Sequence, residues 1–208
     1  MITLHHCPRA RSFRVLWTLE ELGIPYTLKM EPFPPRFRSD NYLELNPLGT
    51  VPTFFDGAHR MTESTAICQY LVATNGPTSL AVEPGEAGYA DYLNFLVMGE
   101  ATLTFPQTIY LRYAMFEPEE RKNPQAATDY TAWFAARLKA AFSFIPGPYV
   151  AADRFTIADI SMGYAIMLAN GIGIGHAVCA PAQAYFEHLK QRDGFSRAIA
   201  AETQALQG

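Results

Sequence analysis

Apolar positions in the first third of the chain recur at two spacings. Residues 2–6 form a short apolar run of strand character. Val15, Leu19 and Leu22 then fall at i, i+4 and i+7, one stripe of a helix. Gly23 and Pro25 mark its end, and residues 26–30 alternate apolar and polar as a second strand does. A strand, a helix and a strand in so short a span predict a parallel pair. Residues 31–48, rich in proline, arginine and asparagine, read as an irregular connection. Residues 53–55 and 59–61 flank Asp56-Gly57 and predict a hairpin. Thr62 is set to cap a helix with the apolar face Ala66, Ile67, Tyr70 and Leu71, which Asn75-Gly76-Pro77 ends.

Strand signals fade after residue 83 and helical spacing takes over. Tyr89, Leu93, Leu96 and Glu100 open a long helix that is interrupted at Pro106 and continues through Ile109 and Tyr113. A second helix is predicted over residues 126–144, with Trp133, Leu138 and Phe142 inward. Pro146-Gly147-Pro148 reads as a loop. Thr156 followed by Asp159 forms a capping box before an apolar helix. Shorter helices are predicted over residues 181–190 and 195–205.

Composition narrows the function classes. Of the 208 residues, 49% are apolar and 17% charged, enough for a packed core. The net charge of −4 and the lack of a basic block argue against a nucleic-acid partner. Cys7, Cys68 and Cys179 are too scattered for a disulfide framework, which points to a reducing compartment, the cytoplasm. No apolar run long enough to span a membrane, and no signal-peptide pattern, is expected. The five histidines show no ligand spacing, so no metal is expected.

The order β-α-β, connection, β-β-α, with Pro52 opening the third strand, resembles the thioredoxin fold. Followed by an all-helical region, it resembles the cytosolic glutathione transferases over essentially the whole chain. Three motifs carry the likeness: Asn46-Pro47-Leu48-Gly49-Thr50-Val51-Pro52, similar to the family's NPxGxVP segment; Thr62-Glu63-Ser64-Thr65-Ala66-Ile67, similar to its xESxAI segment; and the Thr156/Asp159 capping box. The segment Arg14 to Leu22 also looks like bacterial members, of beta or theta-like type. The fold class implied is α/β plus all-α: a thioredoxin-like glutathione-binding domain over residues 1–76, a linker over 77–86 and an all-helical domain over 87–208.

The resemblance implies a site. Pro52 would be cis, with Thr50, Val51 and Pro52 meeting glutathione and the Val51 backbone pairing with its cysteinyl unit as an added strand. The bare sequence reads equally as a trans proline opening an edge strand. Ser64 would hold the γ-glutamyl carboxylate at a helix N-terminus and Glu63 the γ-glutamyl ammonium; the alternative is that both merely cap a helix. Arg36 and Arg38 are candidates for the glycine carboxylate. No nucleic acid and no membrane is expected as a partner, and a homodimer is.

A thiol of pKa near 8.5 is only about 3% ionised at pH 7. Making the thiolate dominant takes roughly 2.7 kcal/mol, within reach of one hydrogen bond to the anion, worth about 1.5–3 kcal/mol. The candidates for that donor lie in Cys7-Pro8-Arg9-Ala10-Arg11-Ser12. No tyrosine occupies this loop. Aligned on the beta class, the cysteine position holds Arg11 and the following serine is Ser12; aligned on serine-using classes, the serine position holds Arg9. Ser12 is the first candidate, with Arg11 and Arg9 as alternatives; an N-cap role for Ser12 and solvated roles for the arginines remain open. Cys7 precedes the proline, too early for a thioredoxin-like nucleophile, and Cys68 and Cys179 read as core.

The second substrate, a small apolar electrophile, would rest in a cleft between the domains. Phe105, Tyr110 and Tyr113 line it, with Met98, Thr102 and the Gly171–Gly175 run nearby, unless these aromatics are simply core. The function implied is glutathione transferase, with glutathione as co-substrate. The alternatives are another glutathione-dependent enzyme (isomerase, dehalogenase, ether lyase or disulfide reductase) or a non-catalytic glutathione-binding module.

Overall fold

A computed structural model of the chain describes residues 1–145 and 147–207. Strands β1 (Ile2–His6), β2 (Tyr26–Met30), β3 (Thr53–Asp56) and β4 (His59–Met61) form one sheet in the order β2-β1-β3-β4. β1 runs parallel to β2, with Leu4 opposite Leu28, and antiparallel to β3, with Leu4 opposite Phe54. The period-2 pattern sends Leu4 and Phe54 fully into the core.

Helix α1 (Ser12–Leu22) connects β1 and β2 and stops at Gly23, whose φ of +65° suits the αL cap. The predicted Val15–Leu19 stripe is buried, but so are Leu16, Trp17 and Thr18 between them. The reason lies at the chain's far end. The chain divides into two compact units, Met1–Ala81 with Lys190–Gly208, and Val82–Leu189. The last helix, α10 (Asp193–Ala205), packs on α1. Phe195 meets Trp17 edge-on at 4.9 Å and Phe13 at 5.8 Å. Arg192 grips Glu21 with two 2.8 Å bonds.

The connection over residues 31–48 is not wholly irregular, contrary to expectation. It holds two single helical turns, α2 (Pro35–Arg38) and α3 (Tyr42–Leu45). Pro35 at the start of α2 needs no N–H partner, which is how a proline-rich segment conceals a turn. α4 (Ser64–Thr74) completes the thioredoxin-like unit.

In the second unit, α5 (Tyr89–Met98) passes through a π-helical stretch (Gly99–Thr104) into α6 (Phe105–Tyr110) and a second π stretch (Leu111–Phe116). Pro106 lacks the N–H that an α-helix needs at that position, and the widened turns beside it absorb the break. Gly99 is required there: a Cβ on it would lie 2.6 Å from the Ser161 backbone. α7 (Pro124–Ala141) is capped by Asn123, whose side chain accepts from Ala126 N at 3.0 Å. Its inward residues are Phe134 and Leu138, not Trp133, which is about half exposed and carries the Arg137 guanidinium on its ring. α8 (Ile157–Gly171) begins with the expected Thr156/Asp159 capping box and is buried along most of its length. α9 (Ala180–Leu189) ends the unit. Of the predicted Pro146-Gly147-Pro148 loop, Pro146 lies outside the described residues, and Gly147 and Pro148 fall in no helix or strand.

Candidate functional site

The candidate site gathers at the N-terminal end of α1, where β1 hands the chain to the helix. Two backbone bonds tighten the loop, Ala10 N to Cys7 O at 3.1 Å and Phe13 N to Ala10 O at 2.8 Å. Arg9 sits at its tip with φ +57°, the left-handed region that costs a non-glycine residue energy. Arg11, half-buried, is the N-cap of α1 in helical geometry, and among the described residues no side chain caps this end.

Ser12 is therefore the first residue of the helix and not its cap. It is fully buried, and its Oγ lies 2.8 Å from His6 Nδ1 and 3.4 Å from Cys7 N. His6 is fully buried too, and its Nε2 lies 2.8 Å from Glu202 Oε2. A carboxylate only accepts, so the ring hydrogen sits on Nε2. Ser12 Oγ pairs with the other ring nitrogen, Nδ1, and also lies 3.5 Å from the Cys7 carbonyl oxygen. The one hydroxyl hydrogen of the first catalytic candidate is turned inward.

Val51 lies against this loop: its side chain packs with Cys7 and Tyr42, with Ala10 and Leu45 at the margin. The Val51–Pro52 peptide is cis. Val51 is 7% exposed, yet its N–H and C=O make no hydrogen bond among the described residues. Thr50 beside it is exposed, and its carbonyl accepts from Tyr42 Oη at 2.8 Å and Asn46 Nδ2 at 2.9 Å. Asn46 also donates to Thr53 Oγ1 and accepts from Leu48 N. These two side chains hold the turn that presents Val51. Asn46 was visible as part of a motif; Tyr42 carried no signal beyond being a lone aromatic in a polar stretch.

Ser64 opens α4 from across the same region. The N-cap is Glu63, in extended geometry, and not Thr62; among the described residues no side chain caps this helix. Glu63 is exposed and Ser64 is buried. Arg14, fully buried on α1, donates from Nη1 to Ser64 Oγ at 3.2 Å and so joins the two helix starts. Sequence reasoning missed Arg14; its one signal was a cation inside an otherwise apolar stripe. Arg36 and Arg38 are exposed, and Arg36 lies over the ring of Phe37.

The cysteines are not poised for chemistry here. Burial, reinforced by Glu31, pushes the Cys7 thiol up to about 12, and burial pushes Cys68 up to about 11 despite the hydroxyl bond from Thr18. A thiol held that high is almost never thiolate and reacts slowly. Cys179, read as core, is half-buried. Maleimide treatment of the folded protein is therefore expected to label Cys179, and to reach Cys7 and Cys68 only in denaturant, as peptide mass spectrometry would show. Among the described residues no three His, Cys, Asp or Glu side chains are placed to hold a metal ion, and no helix is long and apolar enough to cross a membrane.

In the helical unit, Phe105 is about half exposed and Tyr110 and Tyr113 are half-buried. Phe105 and Thr102 line an open hollow of about 280 Å³ whose other wall is Tyr130, Trp133 and Arg137 of α7. Tyr110, Tyr113, Met98 and the Gly171–Gly175 run do not line it.

Comparison with known proteins fits this frame. The sequence model of the family "Glutathione S-transferase, N-terminal domain" matches residues 6–74. The chain is 36% identical over 103 residues to glutathione S-transferase 3 of Schizosaccharomyces pombe, an alignment spanning 50% of this chain and 43% of that relative. Its fold is similar to that of a glutathione transferase from Methylococcus capsulatus (TM-score 0.85, 21% identity, 98% of this chain and 100% of the other). It is also similar to the glutathione transferase URE2P8 from Phanerochaete chrysosporium, solved with oxidized glutathione (TM-score 0.82, 18% identity, 100% and 97%). Residues 6–74 thus match the N-terminal domain of the glutathione S-transferase family, and the fold over the length of the chain is the one these transferases have.

Proposed function

We propose that the chain binds glutathione in the unit that contains β1 to β4, stabilises its thiolate and adds it to a small apolar electrophile. The observation that carries this reading is the Val51 backbone. Buried N–H and C=O groups are paired in the great majority of cases. A pair left open on a nearly buried residue, beside a helix start, suits an extended peptide adding as one more strand. Thr50, Val51 and Pro52 would meet the cysteinyl unit, Ser64 the γ-glutamyl carboxylate and Glu63 its ammonium. The uncapped start of α4 favours the anion.

Because Ser12 Oγ is engaged with the buried His6, thiolate stabilisation is assigned to Arg11 at the N-cap of α1, with Arg9 as the alternative. Ser12 then shapes the loop. The electrophile would be met by Phe105, Tyr110 and Tyr113. On the family's habit, the protein works as a homodimer in the cytoplasm. The same inward-facing Ser12 favours one second reading, a glutathione-binding module without turnover.

Calorimetry with glutathione, followed by turnover of 1-chloro-2,4-dinitrobenzene, tests both. Binding with turnover that falls at least about tenfold in Arg11→Ala is the expected result, the loss of one charged hydrogen bond. Binding without turnover of this or other electrophiles favours the module, and no heat with millimolar glutathione removes the reading altogether.

A further inference from the structure

We infer that Glu202 on α10, 193 residues on from Arg9 in sequence, is a positioning residue for the thiol-binding loop. The inference rests on the proposed glutathione reading. One oxygen, Oε2, accepts both from Arg9 N at 3.0 Å and from His6 Nε2 at 2.8 Å. Through His6 it reaches Ser12 Oγ, which in turn takes the Cys7 N–H. Glu202 therefore fixes the loop over residues 7–12 at two places: directly at its left-handed tip, and at its end through His6 and Ser12.

The chemistry is specific. His6 is fully buried and Glu202 is 8% exposed, so water does not substitute readily for either partner. The carboxylate accepts from Nε2 and so holds the ring with Nδ1 against the Ser12 hydroxyl. Arg9 and Arg11, the groups left to face the sulfur, belong to the backbone so held. The other oxygen, Oε1, makes no hydrogen bond among the described residues. The demand on Glu202 is thus for one acceptor atom at one point, and not for charge.

Two conservative variants separate position from charge. Glu202→Gln keeps an acceptor at the same reach and loses the charge; Glu202→Asp keeps the charge and withdraws the oxygen by one methylene. Arg192→Met is the control, since it breaks the ion pair that also joins α10 to α1 but lies away from the loop. Turnover per folded molecule, KM for glutathione and hydrogen exchange of the peptide over residues 7–13 are measured for all three.

For Glu202→Gln, kcat is expected within about threefold of the parent. For Glu202→Asp it falls at least about tenfold, as a misplaced catalytic loop does, with KM within about twofold and faster exchange at residues 7–13. Arg192→Met lowers the melting temperature without that loss of kcat. The inference is overturned if Glu202→Asp keeps full kcat, if Glu202→Gln loses as much as Glu202→Asp, or if Arg192→Met reproduces the loss. Failure of the parent protein to bind glutathione by calorimetry instead removes the underlying reading, and the role inferred for Glu202 with it.

Discussion

Asp159→Ala is expected to lower the stability of the folded protein by about 4 kcal/mol, read as a shift in urea midpoint at constant slope. The carboxylate is fully buried and accepts four hydrogen bonds: from Thr156 N at 2.8 Å, Thr156 Oγ1 at 3.1 Å, Val150 N at 2.9 Å and Tyr185 Oη at 2.8 Å. An exposed cap contributes about 1 kcal/mol. Here alanine would also orphan donors that water does not reach, each at about 1–3 kcal/mol. Burial raises the carboxyl from 3.8 to about 6, so the native state holds this proton more tightly than the unfolded chain. That contribution is complete below about pH 3.8 and is lost as pH rises through about 6. The stability gap between parent and Asp159→Ala should therefore narrow from pH 4 to pH 8. An exposed-cap role alone would give a shift near 1 kcal/mol at either pH.

That capping box was legible because its rule is local: a hydroxyl and a carboxylate three residues apart before an apolar run have one common use. The sheet was legible for the same reason, since the short apolar run of β1 and the alternating β2 flank a helix with a clear stop at Gly23. The motif around Val51 and Pro52 and the helix start at Ser64 were legible as motifs. What escaped depends on contacts distant in sequence. Nothing around Glu202 marks it as a partner of His6, because α10 reads as an ordinary amphipathic helix until its far contacts are known. Arg14 looks like a flaw in an apolar stripe until Ser64 is found beside it. Ser12 was chosen by alignment and because a hydroxyl can donate; its engagement with the buried His6 depends on a contact that no local pattern reveals. Trp133 was placed inward with Leu138 and Phe142, but Phe134, one position on, occupies the core face. A one-residue rotation of about 100° is the finest distinction a helical pattern can make, and a large aromatic with a neighbouring arginine lies comfortably on the surface.

Ser64→Ala is expected to weaken glutathione binding by about 10- to 100-fold, the value of one hydrogen bond to a charged group. The direction of the Arg14 bond makes the effect large. A guanidinium has no acceptor, so Nη1 donates to Ser64 Oγ and fills an acceptor position on that oxygen. The serine hydrogen is then left to donate, and the uncapped N-terminus of α4 is where a carboxylate would take it. Arg14 also brings a buried positive charge within one hydrogen bond of that point, where screening is weak. Arg14→Met is therefore expected to weaken binding as well, although Arg14 itself is fully buried and its effect passes through Ser64. The two losses should not add. Once the hydroxyl is gone, the arginine has no hydroxyl to orient, so Ser64→Ala with Arg14→Met should bind nearly as well as Ser64→Ala alone. Isothermal calorimetry on the four proteins, with thermal melts to confirm that each is folded, measures the coupling. Additive losses would show that Arg14 serves the fold and not the ligand, and a Ser64→Ala protein that binds within twofold of the parent would remove Ser64 from the glutathione site.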